Sequence, residues 1–302
     1  MAGAVIVLAA ISTWFGCATR KSALDDAMTG AAKGDPRAEY FLAIHYAKGE
    51  GVPHDDVMAA KYMWQAAEAG YAFAQNDLGV YYLQGRGLPQ NPVEAANWFR
   101  KAAEQGDSLA EYSLGLLYFQ GNGVPADVQQ SIKWYCKAAA QNQPDATAAL
   151  GDIYLFGSGV KVNYNEAFKW YQKGARLNNA VSLNGLGFLY ERGLDGIPQN
   201  GAKAAKYYRE AAERGFVRAY SNLGHLYLDG LLMKEDLVEA YTWFTLGVNE
   251  GDGVSRHYLF EIDLKRPLSE SQKAEVSRRV RDYEAHRKVN NKQLKPGQTV
   301  KS

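Results

Sequence analysis

A pattern of small and large apolar positions recurs along the chain with a period of 36 residues. Its clearest copy, 71–106, reads YAFAQNDLGVYYLQGRGLPQNPVEAANWFRKAAEQG. In the first half of this copy Ala74, Leu78, Gly79 and Tyr82 share one side of a helix with 3.6 residues per turn. In the second half an alanine, an aromatic pair and a double alanine have helical spacing as well. Each copy therefore predicts two helices.

Six copies of this pattern follow one another without a gap. They span 35–70, 71–106, 107–142, 143–178, 179–215 and 216–251. The fifth copy is one residue longer, and we place its extra residue in the turn Gly193–Gly196. The sixth copy has Leu232 where the others have a second turn glycine. Because one pair of helices cannot bury both of its apolar faces, the copies are expected to stack on one another.

Glycine recurs at two kinds of position within the copies. A glycine such as Gly79 lies inside the first helix, where it costs about 1 kcal/mol relative to alanine. Its recurrence predicts that another helix passes too close for a Cβ. The G-x-G that follows is expected to end the first helix, because glycine adopts a positive φ at a helix C-terminus without strain.

The segments outside the copies predict a leader, two caps and a tail. Residues 1–18 contain the apolar stretch Ala2–Phe15, which is too short for a membrane span of about 20 residues but has the length of a secretion signal. Gly16-Cys17 matches part of a lipoprotein processing site. We expect export to the periplasm or membrane anchoring through this end, with a cytoplasmic location as the alternative.

The caps and the tail follow from shorter patterns. Residues 19–34 predict a capping helix, and 252–288 predict C-terminal capping helices. One of these begins at a capping box made by Ser269 and Gln272. The polar residues 289–302 predict a disordered tail.

Composition excludes several classes of function. The net charge of +1 gives no basic excess for nucleic-acid binding. The only cysteines, Cys17 and Cys136, are too few for a disulfide framework or a multi-cysteine metal site. The five histidines form no metal-binding motif. We therefore expect no catalytic residue, no metal and no cofactor.

The repeat resembles the Sel-one-like repeat (SLR), a relative of the tetratricopeptide repeat (TPR). The residues that carry this resemblance are A-x3-LG-x2-Y-x2-G-x-G-V/L-P followed by A-x2-W-x3-AA-x2-G, complete between Ala74 and Gly106. The resemblance implies an all-α fold, a right-handed α/α superhelical solenoid of helix-turn-helix repeats. It also implies protein–protein contact without naming a partner.

The related TPR fold places first helices on the concave side of the superhelix. In each first helix, counted from the alanine of the motif as position 0, positions 2, 6 and 10 differ from copy to copy and share one side. They form an apolar stripe with polar flanks, as binding surfaces often do. The candidate partner-binding residues are Tyr40, Ile44, Asn76, Val80, Tyr112, Leu116, Asp152, Phe156, Phe188, Arg192, His225 and Asp229.

Two interpretations of this stripe stay open. In one it binds a protein or peptide, with Tyr40, Tyr112 and Phe188 as the anchors. In the other, position 6 packs against the neighbouring first helix. The sequence thus predicts a non-enzymatic adaptor of the bacterial envelope and leaves its oligomeric state open.

An enzymatic alternative comes from the family resemblance. A cysteine-rich branch of the SLR family is associated with penicillin binding or hydrolysis, and this chain lacks the cysteine pairs of that branch. The alternative is therefore a hydrolase or a binding protein that acts on a β-lactam or peptidoglycan. Its ionisable groups would be Asp152, Arg192, His225 and Asp229.

Overall fold

A computed structural model describes residues 23–293, and side chains through Arg287. All regular elements in this part of the chain are α-helices, and no strand occurs there. The first described helix, α1, covers 23–31. The others are α2 (Pro36–Lys48), α3 (Asp56–Glu68), α4 (Ala72–Gln84), α5 (Pro92–Glu104), α6 (Ser108–Gln120), α7 (Val128–Ala140), α8 (Pro144–Phe156), α9 (Tyr164–Arg176), α10 (Ala180–Arg192), α11 (Gly201–Glu213), α12 (Arg218–Asp229), α13 (Leu237–Asn249), α14 (Gly253–Lys265) and α15 (Glu270–Gln293).

These helices form the predicted all-α repeat fold. Even-numbered helices from α2 to α12 are the first helices of the six repeats, and odd-numbered helices from α3 to α13 are the second. The chain divides into two compact units, unit 1 up to Ala146 and unit 2 from Thr147. Within each unit a helix packs mainly on the helices just before and after it in the chain. None of the helices between residues 23 and 293 is long and apolar enough to cross a bilayer.

The predictions for the two chain ends have different outcomes. The leader predicted at 1–18 lies outside the described residues. Helix α15 begins at the predicted capping box, where Gln272 Oε1 accepts from the Ser269 backbone N–H at 3.0 Å. Helix α15 continues to Gln293, past residue 289, where the sequence predicts that the tail begins. Between residue 289 and Pro296 the sequence has no glycine or proline that would stop the helix.

In all six repeats the second helix begins with the same kind of cap. An aspartate or asparagine side chain accepts from backbone N–H groups of the first turn, which otherwise have no partner inside the helix. These capping residues are Asp55, Asn91, Asp127, Asn163, Asn200 and Asp236. The caps fix where each second helix starts.

The glycine inside each first helix lies against a ring of the second helix in the same repeat. A Cβ on Gly79 would be 2.7 Å from a ring carbon of Phe99, and one on Gly115 would be 2.7 Å from Tyr135. The predicted close approach is therefore confirmed, and the group that makes it is an aromatic side chain. The first repeat has Ala43 in place of the glycine and Met63 in place of the ring, and both are fully buried.

The two turn glycines have different tasks. The first, as at Gly85 (φ 67°), is the left-handed residue that ends the first helix, as predicted. In the second and third repeats the second glycine lies against the start of the preceding repeat's second helix. A Cβ on Gly87 would be 1.9 Å from the backbone oxygen of Asp56, the first residue of α3.

The turn of the sixth repeat makes the same contact, but here the glycine lies in the preceding second helix and not in the turn. Its turn carries Leu232 instead of a second glycine, and the facing first residue of α11 is Gly201. A Cβ on Gly201 would be 2.6 Å from the backbone oxygen of Leu232. At this contact, the turn residue or the first residue of the preceding second helix can carry a side chain, but there is no room for a side chain on both.

We expect Gly201→Ala to destabilise the protein by about 1–3 kcal/mol, because its Cβ has no room beside Leu232. Gly253→Ala is the matched control, since Gly253 is also the first residue of a helix and nothing lies within 4 Å of its added Cβ. Urea unfolding measures both variants. Equal stability of the two variants would contradict the contact.

The pairing of glycine and ring can be tested with a double-mutant cycle. Gly79→Ala alone is expected to lower the free energy of unfolding by about 1–3 kcal/mol, because the new methyl meets the Phe99 ring. Combined with Phe99→Met, which copies the Ala43 and Met63 pair, it should cost less than the sum of the single changes by about 1 kcal/mol. If the changes in the free energy of unfolding of the two single variants simply add up in the double variant, the Phe99 ring is not the reason for the glycine at position 79.

Candidate binding face of the first helices

We call residues at positions 2, 6 and 10 of the first helices the variable face. In unit 1 it lies on α2, α4 and α6, and in unit 2 on α8, α10 and α12. Exposure increases along each helix. Position 2 is buried or half-buried, position 6 is half-buried, and position 10 is exposed in all six repeats. The exposed residues are Lys48, Gln84, Gln120, Phe156, Arg192 and Asp229.

Position 2 is less open than the sequence analysis expected. Asn76 is only 7% exposed, so its placement on an open surface is corrected. The reason is that position 2 meets position 3 of the next first helix. Tyr40 donates from its hydroxyl to Asp77 Oδ2 at 2.9 Å, and Asn222 Nδ2 donates to Asn184 Oδ1 at 2.8 Å. Burial raises the pKa of Asp77, while the hydrogen bonds from Tyr40 and Asn76 oppose the increase.

Position 6 belongs partly to the packing of the units. Ile44, Val80 and Phe188 are half-buried and pack against buried residues of their own unit. Leu116 is also half-buried, and Tyr112 at position 2 lies 5.5 Å from Tyr135 between ring centres. These side chains therefore offer one edge to solvent and use the other to hold neighbouring helices.

Asp152 at position 6 is held by a tyrosine of the same repeat. The Tyr171 ring lies between Gly151 and Gly185, where an added Cβ would come within 2.3 Å and 2.6 Å of ring carbons. This position fixes the hydroxyl, which donates to Asp152 Oδ1 at 2.5 Å. Burial raises the pKa of the Asp152 carboxyl, and the hydrogen bond from Tyr171 opposes the increase.

Three of the four ionisable candidates share a cavity in unit 2. Arg192, His225 and Asp229 line a space of about 180 Å³ together with Glu191, whereas Asp152 is not among its lining residues. Glu191 accepts from the Tyr208 hydroxyl at 2.6 Å, and the Arg192 guanidinium lies 5.6 Å from the Phe188 ring centre. Within residues 23–293, no three side chains of His, Cys, Asp or Glu lie together in a way that could hold a metal ion.

Two large apolar side chains are exposed at the C-terminal ends of first helices in unit 2. Phe156 at position 10 of α8 is 69% exposed. Leu231, in the turn after α12, is 79% exposed and lines the cavity beside Asp229. The helical periodicity of the sequence predicts Phe156 as a surface residue but not Leu231, which lies in a turn outside that periodicity.

Comparison with known proteins assigns the repeats to a family. A sequence model of the Sel1 repeat matches residues 36–71, 72–107, 108–143, 144–179, 180–216 and 217–252. The chain belongs to the Sel1 repeat family. Sel1 repeat proteins generally mediate protein–protein interactions and are generally scaffolds without an enzymatic activity. A comparison with curated proteins gave no match.

Two solved structures resemble this Sel1 repeat protein along most of its length. One is a protective antigen of uropathogenic Escherichia coli strains with an SLR fold, at 32% identity and a TM-score of 0.74. The match covers 86% of this chain but 56% of the antigen, so the chain spans little more than half the antigen's length. The other is a Sel1 repeat protein of Oxalobacter formigenes, at 30% identity and a TM-score of 0.68, covering 78% of this chain and 95% of that protein.

Asp152→Asn should stabilise the Sel1 repeat protein at pH 7. Because burial raises the pKa of Asp152, the folded chain holds its proton more tightly than the unfolded chain. Stability is therefore lost as the pH rises from the ordinary aspartate range through the raised pKa. The asparagine avoids this loss and still accepts from Tyr171.

Urea unfolding at pH 7 and at about pH 3 measures this effect. The advantage of Asp152→Asn should be absent at the lower pH, where the carboxyl is protonated in both states. Tyr171→Phe removes the donor and is expected to cost about 1–3 kcal/mol at pH 7. An advantage of Asp152→Asn that does not change with pH would contradict this explanation.

Proposed function

We propose that this Sel1 repeat protein is a non-enzymatic adaptor of the bacterial envelope that holds a protein or peptide on its variable face. The observation that carries the proposal is the combination of sequence variation and exposure on that face. The positions that differ between repeats include the exposed row at position 10, while positions 4 and 5 are buried in every repeat. Phe156 in this row offers an exposed apolar side chain for contact with a partner.

The face in unit 2 suggests the chemistry of the bound segment. Phe156 offers an apolar anchor, and Phe188 presents the edge of a ring beside the Arg192 guanidinium. Asp229 adds an opposite charge at the same row. An extended or helical peptide with one large apolar side chain and flanking charges of both signs matches this surface, because aromatic anchors and arginine contribute most to interface energies.

The envelope location rests on the apolar segment Ala2–Phe15 and the following Gly16-Cys17. The two similar structures named above come from bacteria, which agrees with this proposal. Mass spectrometry of the mature N-terminus distinguishes a cleaved or lipid-modified Cys17 from an intact Met1.

The alternative function, a hydrolase or binding protein for a β-lactam or peptidoglycan, is supported by one observation. Arg192, His225 and Asp229 come from two repeats and share a cavity with Glu191. Purified protein incubated with nitrocefin or peptidoglycan fragments tests it. Turnover that His225→Ala abolishes would favour the enzyme over the adaptor.

The adaptor proposal can be tested by site-specific photocrosslinking in the native cells. A photoreactive phenylalanine analogue at position 156 should trap a partner, whereas the same analogue in place of Lys169, exposed on second helix α9, should not. Phe156→Asp should reduce capture of the trapped protein at least tenfold and leave the melting temperature unchanged, because the ring is exposed.

The variant Phe188→Ala should also lose capture. It is expected to melt lower than the native chain, since the Phe188 side chain is half-buried. Equal crosslinking from positions 156 and 169 would contradict a binding site on the variable face.

A further inference from the structure

A second groove lies in unit 1, between the second helices α3 and α5. Its volume is about 440 Å³, and it is lined by Trp64, Glu68, Glu94, Trp98, Lys101 and Glu104 among others. Trp64 is 48% exposed, so its ring is available for contact with another molecule. These six residues belong to second helices and are not part of the variable face. We call this the outer groove.

Unit 2 contains the corresponding groove, and there the chain covers it with its own helix. Helices α11 and α13 hold the places in their repeats that α3 and α5 hold in theirs. By this equivalence Glu68 corresponds to Glu213, Glu94 to Glu239, and Trp98 to Trp243. Helix α15 packs on α13 along this surface.

Three residues of α15, spaced four apart on one side of the helix, make the contacts. The Arg279 guanidinium forms an ion pair with Glu239. The Tyr283 ring meets Trp243 edge to face, with 5.1 Å between the ring centres. Arg287 pairs with Glu250 and donates to the Tyr220 hydroxyl at 3.2 Å. A basic and aromatic stripe on a helix is thus the complement that this type of groove receives.

The outer groove keeps two of the groups that α15 contacts in unit 2, whereas Gln75 and Gln105 stand where unit 2 has Tyr220 and Glu250. Glu94 and Trp98 replace Glu239 and Trp243, and Trp64 adds an exposed ring beside them. Its charged lining residues are the carboxylates Glu68, Glu94 and Glu104 and the cations Arg100 and Lys101, so the carboxylates outnumber the cations by one. Lys101 already places its ammonium 3.7 Å from the Trp98 ring centre and 3.8 Å from Glu68, which shows that a cation suits this surface.

The occupied and open grooves differ at several positions, among them Trp64, which stands where α11 has Arg209. Leu246 of α13 is buried, and its counterpart in α5 is the exposed Lys101. A long lysine side chain can move aside for an incoming helix without leaving water. In the open groove Lys101 therefore faces water. When a helix binds, the tryptophan rings of the groove can still pack against it.

We propose that the outer groove binds an amphipathic α-helix of a partner protein, one that carries arginine or lysine and an aromatic residue four positions later. The basic residue pairs with Glu94, as Arg279 pairs with Glu239. The aromatic residue packs on Trp98 and Trp64. This site is separate from the variable face, and neither proposal depends on the other.

A synthetic peptide of residues 268–293 is the probe, because it carries the α15 stripe. We expect it to bind the full-length protein and to change the fluorescence of Trp64. Trp64→Ala and Glu94→Gln should each weaken binding at least tenfold, measured by calorimetry. Gln130→Ala is the matched control, since Gln130 holds the place of Glu94 in the next repeat and should not affect affinity.

A charge exchange makes the test specific. The peptide with Arg279→Glu should lose binding to the native chain and regain it with the Glu94→Lys protein. Absence of binding, or binding that Trp64→Ala and Glu94→Gln leave intact, would overturn the proposal. A protein dimer that Trp64→Ala dissociates would overturn it in favour of a second copy as the occupant. Phe156→Asp should not change peptide affinity, which separates this site from the proposed adaptor face.

Discussion

Backbone approaches too close for a Cβ determine how this protein is assembled. Within a repeat, the first helix comes so near the second that a ring such as Phe99 lies directly on Gly79. Between repeats, the turns of the second, third and sixth repeats lie on the first residue of the preceding second helix. Since interiors are packed at crystal-like density, such contacts leave little freedom in the distance between helices. The stacking of each unit follows from these contacts.

Features that repeat along a helix could be predicted from the sequence, and features that depend on a neighbouring chain segment could not. The helix pairs, the left-handed turn glycine and the Ser269 capping box follow from local spacing. The second turn glycine was grouped with the first, although its contact is with the preceding repeat. Position 7 is buried in five repeats, as at Leu117, yet it is not among the positions that keep one residue type.

The same limit applies to the candidate site. Variation between copies identified the exposed row that includes Phe156 and Arg192. It did not show that Asn76 lies beneath this surface, because that burial depends on the next first helix. The outer groove was not predicted either, since Trp98 lies at a position typical of packing and Trp64 lies at a position with no repeated residue type. Only the contacts of α15 with α13 support the proposal that this groove binds a helix.

The exchange of glycine between Gly201 and Leu232 restricts how this gene can gain or lose repeats. Unequal recombination removes whole periods from repeat arrays, and most junctions here would still present a turn glycine to the preceding helix. Loss of the fifth period would bring Leu232 against Tyr164, the first residue of α9, with a side chain on both surfaces. At this contact the fifth and sixth repeats therefore form a matched pair, in which the glycine of one makes room for the leucine of the other.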